Sequence, residues 1–509
     1  MDQAETIAAI ATLNFSDSGK IFGVGIEAIR HDLLEAMLPT AEQAVRHFPH
    51  DAKLWQLLGL VARGLNDGAR AVSAFATAAA LAPNDALIAH SHARVMHEAG
   101  GIASELYEKA LILAPQNGEV LLGRAAALVM EHEIEKAVGQ LATVLKANPL
   151  WLDGHRSIAK IRGQVGDGSS YTDSLKTALL QMPDDPSLHQ LLVMTNFQAK
   201  DFRAAAMNIA NARLCLPDLE WIAEWEAYCA SESGDMLRAD KLFDSLGVPE
   251  NIDHAHRIVR HHIKAGRADL AAEVGETWIE RDLQGVLWPY LALAWRITGG
   301  SRWEWLEGDP RFIGVYDLCP QLGDISKVAA VLRDLHFADR QPLDQSLRFG
   351  TQTDGPLFSR VEPEIKLLRD AVINVVEQHI AQLPEAQAGH PLLVERRKPI
   401  RFAGSWSVRL TRQGMHVDHV HPEGWLSSAL YISLPAKAMG DGSGESAHDG
   451  WLSFGENREL VPDLEPFRMI EPKEGRLVLF PSTMWHGTRK FDDGERLTVA
   501  FDIARPARA

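Results

Sequence analysis

Seven prolines recur along the first half of the chain at a nearly constant interval. Pro49, Pro83, Pro115, Pro149, Pro183, Pro217 and Pro249 stand 34, 32, 34, 34, 34 and 32 residues apart. Proline lacks a backbone N–H and disfavours helix in the residue before it, so each one closes a helix and tolerates the start of the next. Most precede a polar or acidic turn, as in Phe48-Pro49-His50-Asp51, Ala82-Pro83-Asn84-Asp85 and Met182-Pro183-Asp184-Asp185. One such proline means little. Seven in register restrict this half of the chain to stacked helical hairpins.

A period near 34 residues is that of tetratricopeptide (TPR) repeats, each a helix–turn–helix. The interior of the period agrees. Trp55-Gln56-Leu57-Leu58-Gly59 opens one repeat, and Ala71-Val72-Ser73-Ala74-Phe75 opens its second helix. Leu106, Tyr107, Ala110, Leu111 and Leu113 lie at helical spacing. Gly59, Ala74, Ala78, Gly123 and Ala126 are small enough to let paired helices approach closely. Stacked repeats form a groove, which suits a peptide or protein segment. His90, His92 and His155 read as core or solvated residues. His254, His256, His261 and His262, interleaved with Arg257 and Arg260, read as a helical face partly open to solvent. Regularity fades after Pro249, although Ala268–Leu283 and Leu287–Trp295 still read as helices. Thr298-Gly299-Gly300-Ser301 then breaks the pattern. The expected division is a repeat array over 1–297, a linker over 298–324 and a second domain over 325–509.

The bulk numbers remove several classes. The 509 residues are 46% hydrophobic and 23% charged, as in globular proteins, and carry a net charge of -17. Such a chain repels phosphate backbones, so nucleic acid is not an expected partner. Arg396, Arg397, Lys398 and Arg401 read as a solvated loop. Cys215, Cys229 and Cys319 show no metal or redox spacing and suit free thiols in a reducing compartment. Met-Asp-Gln-Ala-Glu-Thr at the start has no basic stretch before an apolar core, so no signal peptide is expected. No apolar run reaches about 18 residues, the length a membrane span needs. The expected location is the cytoplasm, with no membrane partner.

The second half changes character. Residues 325–339 and 363–383 have helical periodicity, the latter through Ile365, Leu368, Ala371, Val372, Val375 and Ile380. Gln345–Gly355 between them is polar and glycine-bearing. Beyond Pro384 the pattern alternates: Trp406, Val408 and Leu410 against Ser405, Ser407, Arg409 and Thr411. Further strands are expected at Gly450–Phe454, Phe467–Ile470, Gly475–Phe480 and Arg496–Ile503, with the longest loop at Ala436–Asp449. Many short strands with helices before them predict a double-stranded β-helix, a jelly roll buttressed by helices. The strand Ser427–Leu434 has two unlike faces. Leu430, Ile432 and Leu434 form a bulky packing face, whereas Ser427, Ala429, Tyr431 and Ser433 leave room for a cavity with a phenol in it.

Chemistry concentrates just before that strand. Gly414-Met415-His416-Val417-Asp418-His419-Val420-His421-Pro422 sets four potential ligands within six positions. A histidine and a carboxylate two residues apart, with a distant second histidine, can occupy one face of an octahedron, the arrangement of non-haem Fe(II) oxygenases. His416 and Asp418 can supply the first two ligands, and His486 the third. Arg496 opens the last strand with Thr498 on its face, and arginine grips a carboxylate through paired N–H groups. A second set is present in His419, His421 and His486. On a regular strand 416 and 418 share one face and 419 and 421 the other, so both pairs cannot bind together without a turn. The carboxylate favours His416 with Asp418.

Several motifs carry a resemblance: Ser405-Trp406-Ser407-Val408-Arg409-Leu410, the stretch His416–Pro422, Gly424-Trp425-Leu426-Ser427-Ser428, Leu479-Phe480-Pro481-Ser482, Trp485-His486-Gly487-Thr488 and Arg496-Leu497-Thr498. With them, residues 325–509 resemble the Fe(II)/2-oxoglutarate-dependent dioxygenases, and are most similar to a bacterial group in which TPR repeats precede the oxygenase domain. The resemblance implies Fe(II) on a His-x-Asp pair with His486, and 2-oxoglutarate whose far carboxylate meets Arg496, helped by Thr498 and Tyr431. It implies hydroxylation of a C–H bond. Related sequences often present His-x-His-Pro before the serine-rich strand, as His419-Val420-His421-Pro422 does here, so the ligand pair stays open. The expected protein is a TPR superhelix followed by a dioxygenase acting on a protein or peptide side chain that the repeats recruit. The rivals are a TPR adaptor with a non-catalytic jelly roll, and a dioxygenase of small molecules.

Overall fold

The computed structural model describes residues 1–164, 170–338, 345–435 and 447–506. Residue 339, at the end of an expected helix, and residues 436–446 of the expected long loop lie outside these ranges. The chain forms two compact units. One comprises Met1–Val144 with Asp354–Lys366, the other Leu145–Thr353 with Leu367–Ala509.

Helical hairpins fill the first unit and continue into the second. At several turns the proline acts together with the residue two places on. Asp51, Asp85 and Asn117 in the first unit and Asp185 in the second each cap the following helix. The Asp85 carboxylate, for example, accepts from the amides of Leu87 at 2.9 Å and Ile88 at 3.0 Å. These amides have no partner inside the helix, and a side-chain oxygen at this position satisfies them. A side chain six places beyond some of the prolines pins the same turn. Trp55 Nε1 donates to the Pro49 carbonyl at 2.9 Å, and the Nε2 atoms of His155 and His189 meet the carbonyls of Pro149 and Pro183 at 2.9 and 2.8 Å. His155 is thus a core residue. The small residues do set helix approach: a Cβ on Gly59 would lie 2.5 Å from the Phe75 ring, and one on Gly123 2.4 Å from Tyr107.

The histidines of the helix Ile252–Lys264 correct an expectation. His254 and His261 are buried rather than solvated. His261 lies 2.9 Å from both Ser231 Oγ and Asp240 Oδ1, so the helix carries a polar network between repeats. Residues expected as linker hold a helix, Ser301–Glu307, and strand β1, Gly314–Asp317.

The sheet lies in the second unit. Its other strands are β2 Leu347–Gln352, β3 Phe402–His419, β4 Gly424–Ser433, β5 Leu452–Phe454, β6 Arg468–Ile470, β7 Arg476–Pro481, β8 His486–Thr488 and β9 Arg496–Ala504. The order is β1-β7-β4-β9-β3-β8-β5-β6, with β2 also on β3, and the pairings are antiparallel. Every strand read from the sequence is present; β1, β2 and β8 are additional. The architecture is therefore a helical repeat array followed by a curled antiparallel β domain. Within the second unit the helices Ile252–Lys264, Ala268–Trp278 and Trp288–Thr298 share a core with the β domain: Val259, Ile263, Ala271, Leu287 and Leu293 pack with Leu460 and Trp485. Among the described residues no helix is long and apolar enough to cross a membrane.

Candidate metal centre

β3 is an eighteen-residue strand whose last turn of sequence carries the histidines. It pairs with β8 at His416↔Thr488 and His419↔His486, and the register shifts between those two pairs. That bulge rotates the strand end, as extra residues in a ladder do. His419 and His421 consequently face His486. One ligand atom from each of the three lies within 4.8 Å of the others, the one group of its kind among the described residues.

The three rings share a second feature. Each Nδ1 already has a partner: the Val417 carbonyl for His419 at 2.9 Å, the Met484 carbonyl for His486 at 3.0 Å, and Asp502 Oδ2 for His421 at 2.7 Å. An acceptor at Nδ1 places the proton there and turns the Nε2 lone pair outward, the state in which imidazole binds a metal. Burial drives the His419 pKa down to about 3, and burial with the neighbouring rings holds His486 well below its usual range. These two rings stay neutral at ordinary pH, so no proton competes for their ligand atoms. Asp502 is fixed in turn by Ser427 Oγ, which donates to its Oδ1 at 2.6 Å. Trp406 lies flat on His421, with ring centroids 5.6 Å apart and an interplanar angle of 9°.

Asp418 and His416 are placed differently. Asp418 is clamped by Arg458, whose backbone N–H and Nε both donate to Oδ2 at 2.8 Å and whose Nη2 donates to Oδ1 at 2.6 Å. Its side chain is 3% exposed. His416 Nδ1 sits 3.0 Å from Ser346 Oγ, and its ring stacks on His419 with centroids 5.7 Å apart. Burial also pushes the His416 pKa well down. The two residues thus flank the trio and do not converge with His486.

Arg496 lies fully buried on β9, its Nη1 donating to Thr488 Oγ1 at 3.2 Å and its guanidinium 5.0 Å from the centre of the Tyr431 ring. Arg496 Nε and the Tyr431 hydroxyl are buried without a well-formed hydrogen bond among the described residues, the guanidinium and the phenol acting on each other at close range. A buried donor without an acceptor costs roughly 1–3 kcal/mol, so the pair fits an anion brought from outside. The Thr498 hydroxyl donates to the Val408 carbonyl at 3.5 Å. Arg496, Thr498 and the three histidines line one cavity of about 910 Å³.

Residues 404–502 match the family described as "Putative 2OG-Fe(II) oxygenase". The matched stretch runs from near the start of β3 into β9; it contains the trio, Arg496, Tyr431 and Thr488, and none of the repeat helices. The repeats have their own likenesses among solved structures. A tetratricopeptide repeat protein from Parabacteroides merdae aligns over 46% of this chain and 94% of its own at 15% identity, with a TM-score of 0.30. MamA from Desulfovibrio magneticus RS-1 aligns over 34% of this chain and 99% of its own at 18% identity, TM-score 0.29. PilF from Pseudomonas aeruginosa aligns over 40% and 94% at 16% identity, TM-score 0.25. Comparison with curated proteins found no match.

Asp502, Arg458 and Ser346 lie outside the motifs read from the sequence, and Thr488 stands in one of them without a role of its own. A signal for Asp502 was there: it lies on the same alternation of β9 as Arg496 and Thr498.

Proposed function

We propose that the chain is an Fe(II)- and 2-oxoglutarate-dependent dioxygenase that hydroxylates a side chain of a protein or peptide recruited by the repeats. The observation that carries it is the convergence of His419, His421 and His486, each with Nδ1 committed elsewhere, in one cavity with the buried and underbonded Arg496. The metal ligands are these three histidines. Bound there with 2-oxoglutarate and dioxygen, iron would supply the oxidising chemistry that hydroxylates a C–H bond. Asp502 supplies negative charge one step back, through His421, where a facial triad has a carboxylate on the metal itself. Arg496 grips the far carboxylate of 2-oxoglutarate, with the Tyr431 hydroxyl, Thr488 and Thr498 around it. Trp406 holds the His421 ring.

Residues 1–297 recruit, 325–509 catalyse, and 298–324 join the two while lending β1 to the sheet. Phe197, Lys200 and Arg260 of the repeats line the same cavity, which supports a substrate seated against the array. The three unpaired cysteines support a site of action in the cytoplasm.

Iron content and 2-oxoglutarate consumption test this together. Wild type should bind stoichiometric Fe(II) and turn over 2-oxoglutarate, even uncoupled from substrate. His486→Ala and His419→Ala should lose both, whereas Asp418→Asn should retain iron. Loss of iron in Asp418→Asn with retention in His419→Ala would transfer the site to His416 and Asp418. A wild type that binds no iron would leave an adaptor.

A further inference from the structure

The cavity holds a second cation that the proposed chemistry does not use. Arg348 lies on β2 opposite Met415, next to the pair Leu347↔His416, and so rides on the ligand strand. It lines the same cavity as the trio and is half-buried there. Its Nη1 donates to the carbonyls of Gln345 at 2.7 Å and Leu347 at 2.8 Å. No carboxylate forms an ion pair with it among the described residues.

Most other charges of the cavity wall are matched. Asp418 is in the grip of Arg458, and Asp502 bonds His421 and Ser427. Glu459 bridges Lys200 at 2.6 Å and Arg260 at 3.1 Å. Arg260 is further tied to Glu232 at 2.8 Å. Glu423 is exposed and forms no ion pair among the described residues. Among the described residues Arg348 presents a charged fork to the cavity, its Nε and Nη2 without a hydrogen-bond partner. No carboxylate among them bonds the half-buried guanidinium directly, Glu459 acting on it only through space, and an incoming anion would supply the paired contact.

We propose that Arg348 binds a carboxylate of the substrate to be oxidised, at an anion site separate from Arg496. The proposal rests on the dioxygenase reading of the cavity. A single planar fork matches a carboxylate through two parallel bonds. A phosphate dianion calls for more than one free cation, and Lys200 and Arg260 are engaged by Glu459. The carboxylate can come from an acidic side chain of a peptide or from a free acylated amino acid.

The test uses the full chain, first shown by calorimetry to bind Mn(II) and 2-oxoglutarate, so that failure of the underlying reading appears at that step. The saturated protein is then titrated with acetyl-Ala-Glu-Ala-amide and with N-acetylglutamate, each against its glutamine counterpart. At least one acid should bind tenfold or more tightly than its amide, and the arm that does so identifies the source. Arg348→Gln should erase the preference while metal and 2-oxoglutarate affinities hold. Arg348→Lys, which keeps the charge but not the fork, should retain part of it. Equal binding of acids and amides, binding of neither acid, an undiminished preference in Arg348→Gln, or weakened 2-oxoglutarate binding in that variant would each overturn the proposal.

Discussion

Asp502 is the residue on which the electrostatics of the trio turns. Three neutral imidazoles place no charge on a divalent ion, so the compensating carboxylate must act from behind one of them. Asp502 does so at 2.7 Å from His421 Nδ1, with its other oxygen held by Ser427. Asparagine there keeps the shape and removes the charge, and its amide can present a donor where an acceptor is needed. Metal affinity should fall roughly tenfold to a hundredfold in Asp502→Asn, the usual cost of losing a carboxylate behind a ligating histidine. Competition with a chromophoric chelator measures it, and an unchanged circular dichroism spectrum separates the effect from unfolding. Affinity equal to wild type would mean that His421 is not oriented by Asp502. The same residue shows what could and could not be read in advance. Alternation along β9 places Asp502 with Arg496, but its partner His421 is 81 residues away and lies on a different strand.

At the scale of elements, the short strand β8 brings the distant ligand home. Gly487, directly after His486, runs so close to β3 that a Cβ on it would lie 2.2 Å from Asp418 Oδ1 and 3.2 Å from the His416 carbonyl. The Asp418 carboxylate cannot swing aside cheaply, because Arg458 holds both its oxygens. Gly487→Ala should therefore push β8 off β3, costing about 1–3 kcal/mol of stability as overpacking does. The displacement also carries His486 away from the trio. A lowered denaturant midpoint together with weakened iron binding is the expected result; an unchanged midpoint would show that β8 has slack. The prolines and the polar turns after them were legible because they act within a few residues, whereas the capping role of Asp51, Asp85 and Asp185 shows only in the structure. β3, β4 and β9, whose alternation is long, were legible too. β8 reads His-Gly-Thr, with a glycine at its centre and no apolar side chain to mark a face, and the bulge between His416 and His419 is a property of pairing rather than of either strand alone. That bulge is what lets His419 and His421, rather than residues two places apart from His416, meet His486.

For the molecule as a whole, division of labour is not division of folding. Trp485 immediately precedes His486 and is 4% exposed. Its Nε1 donates to the Pro289 carbonyl at 2.8 Å, and its ring meets Tyr290 edge-on at 5.5 Å. Leu460 enters the same core from the segment that carries Arg458 and Glu459. The helices between Ile252 and Thr298 thus cover apolar surface that the β domain cannot cover itself. A fragment of residues 325–509 would expose Trp485 beside the ligand it steadies, forfeiting about 1.5–3 kcal/mol or more for each large side chain uncovered. We expect that fragment to bind a hydrophobic dye and to take up Fe(II) more weakly than the full chain. Iron binding by the fragment at full-chain affinity would show that the metal centre stands without the repeats. The predicted dependence has a functional side. Lys200 and Arg260 of the repeats clasp Glu459, next to the arginine that clamps Asp418, so whatever shifts those helices also bears on the wall of the cavity that holds the three histidines.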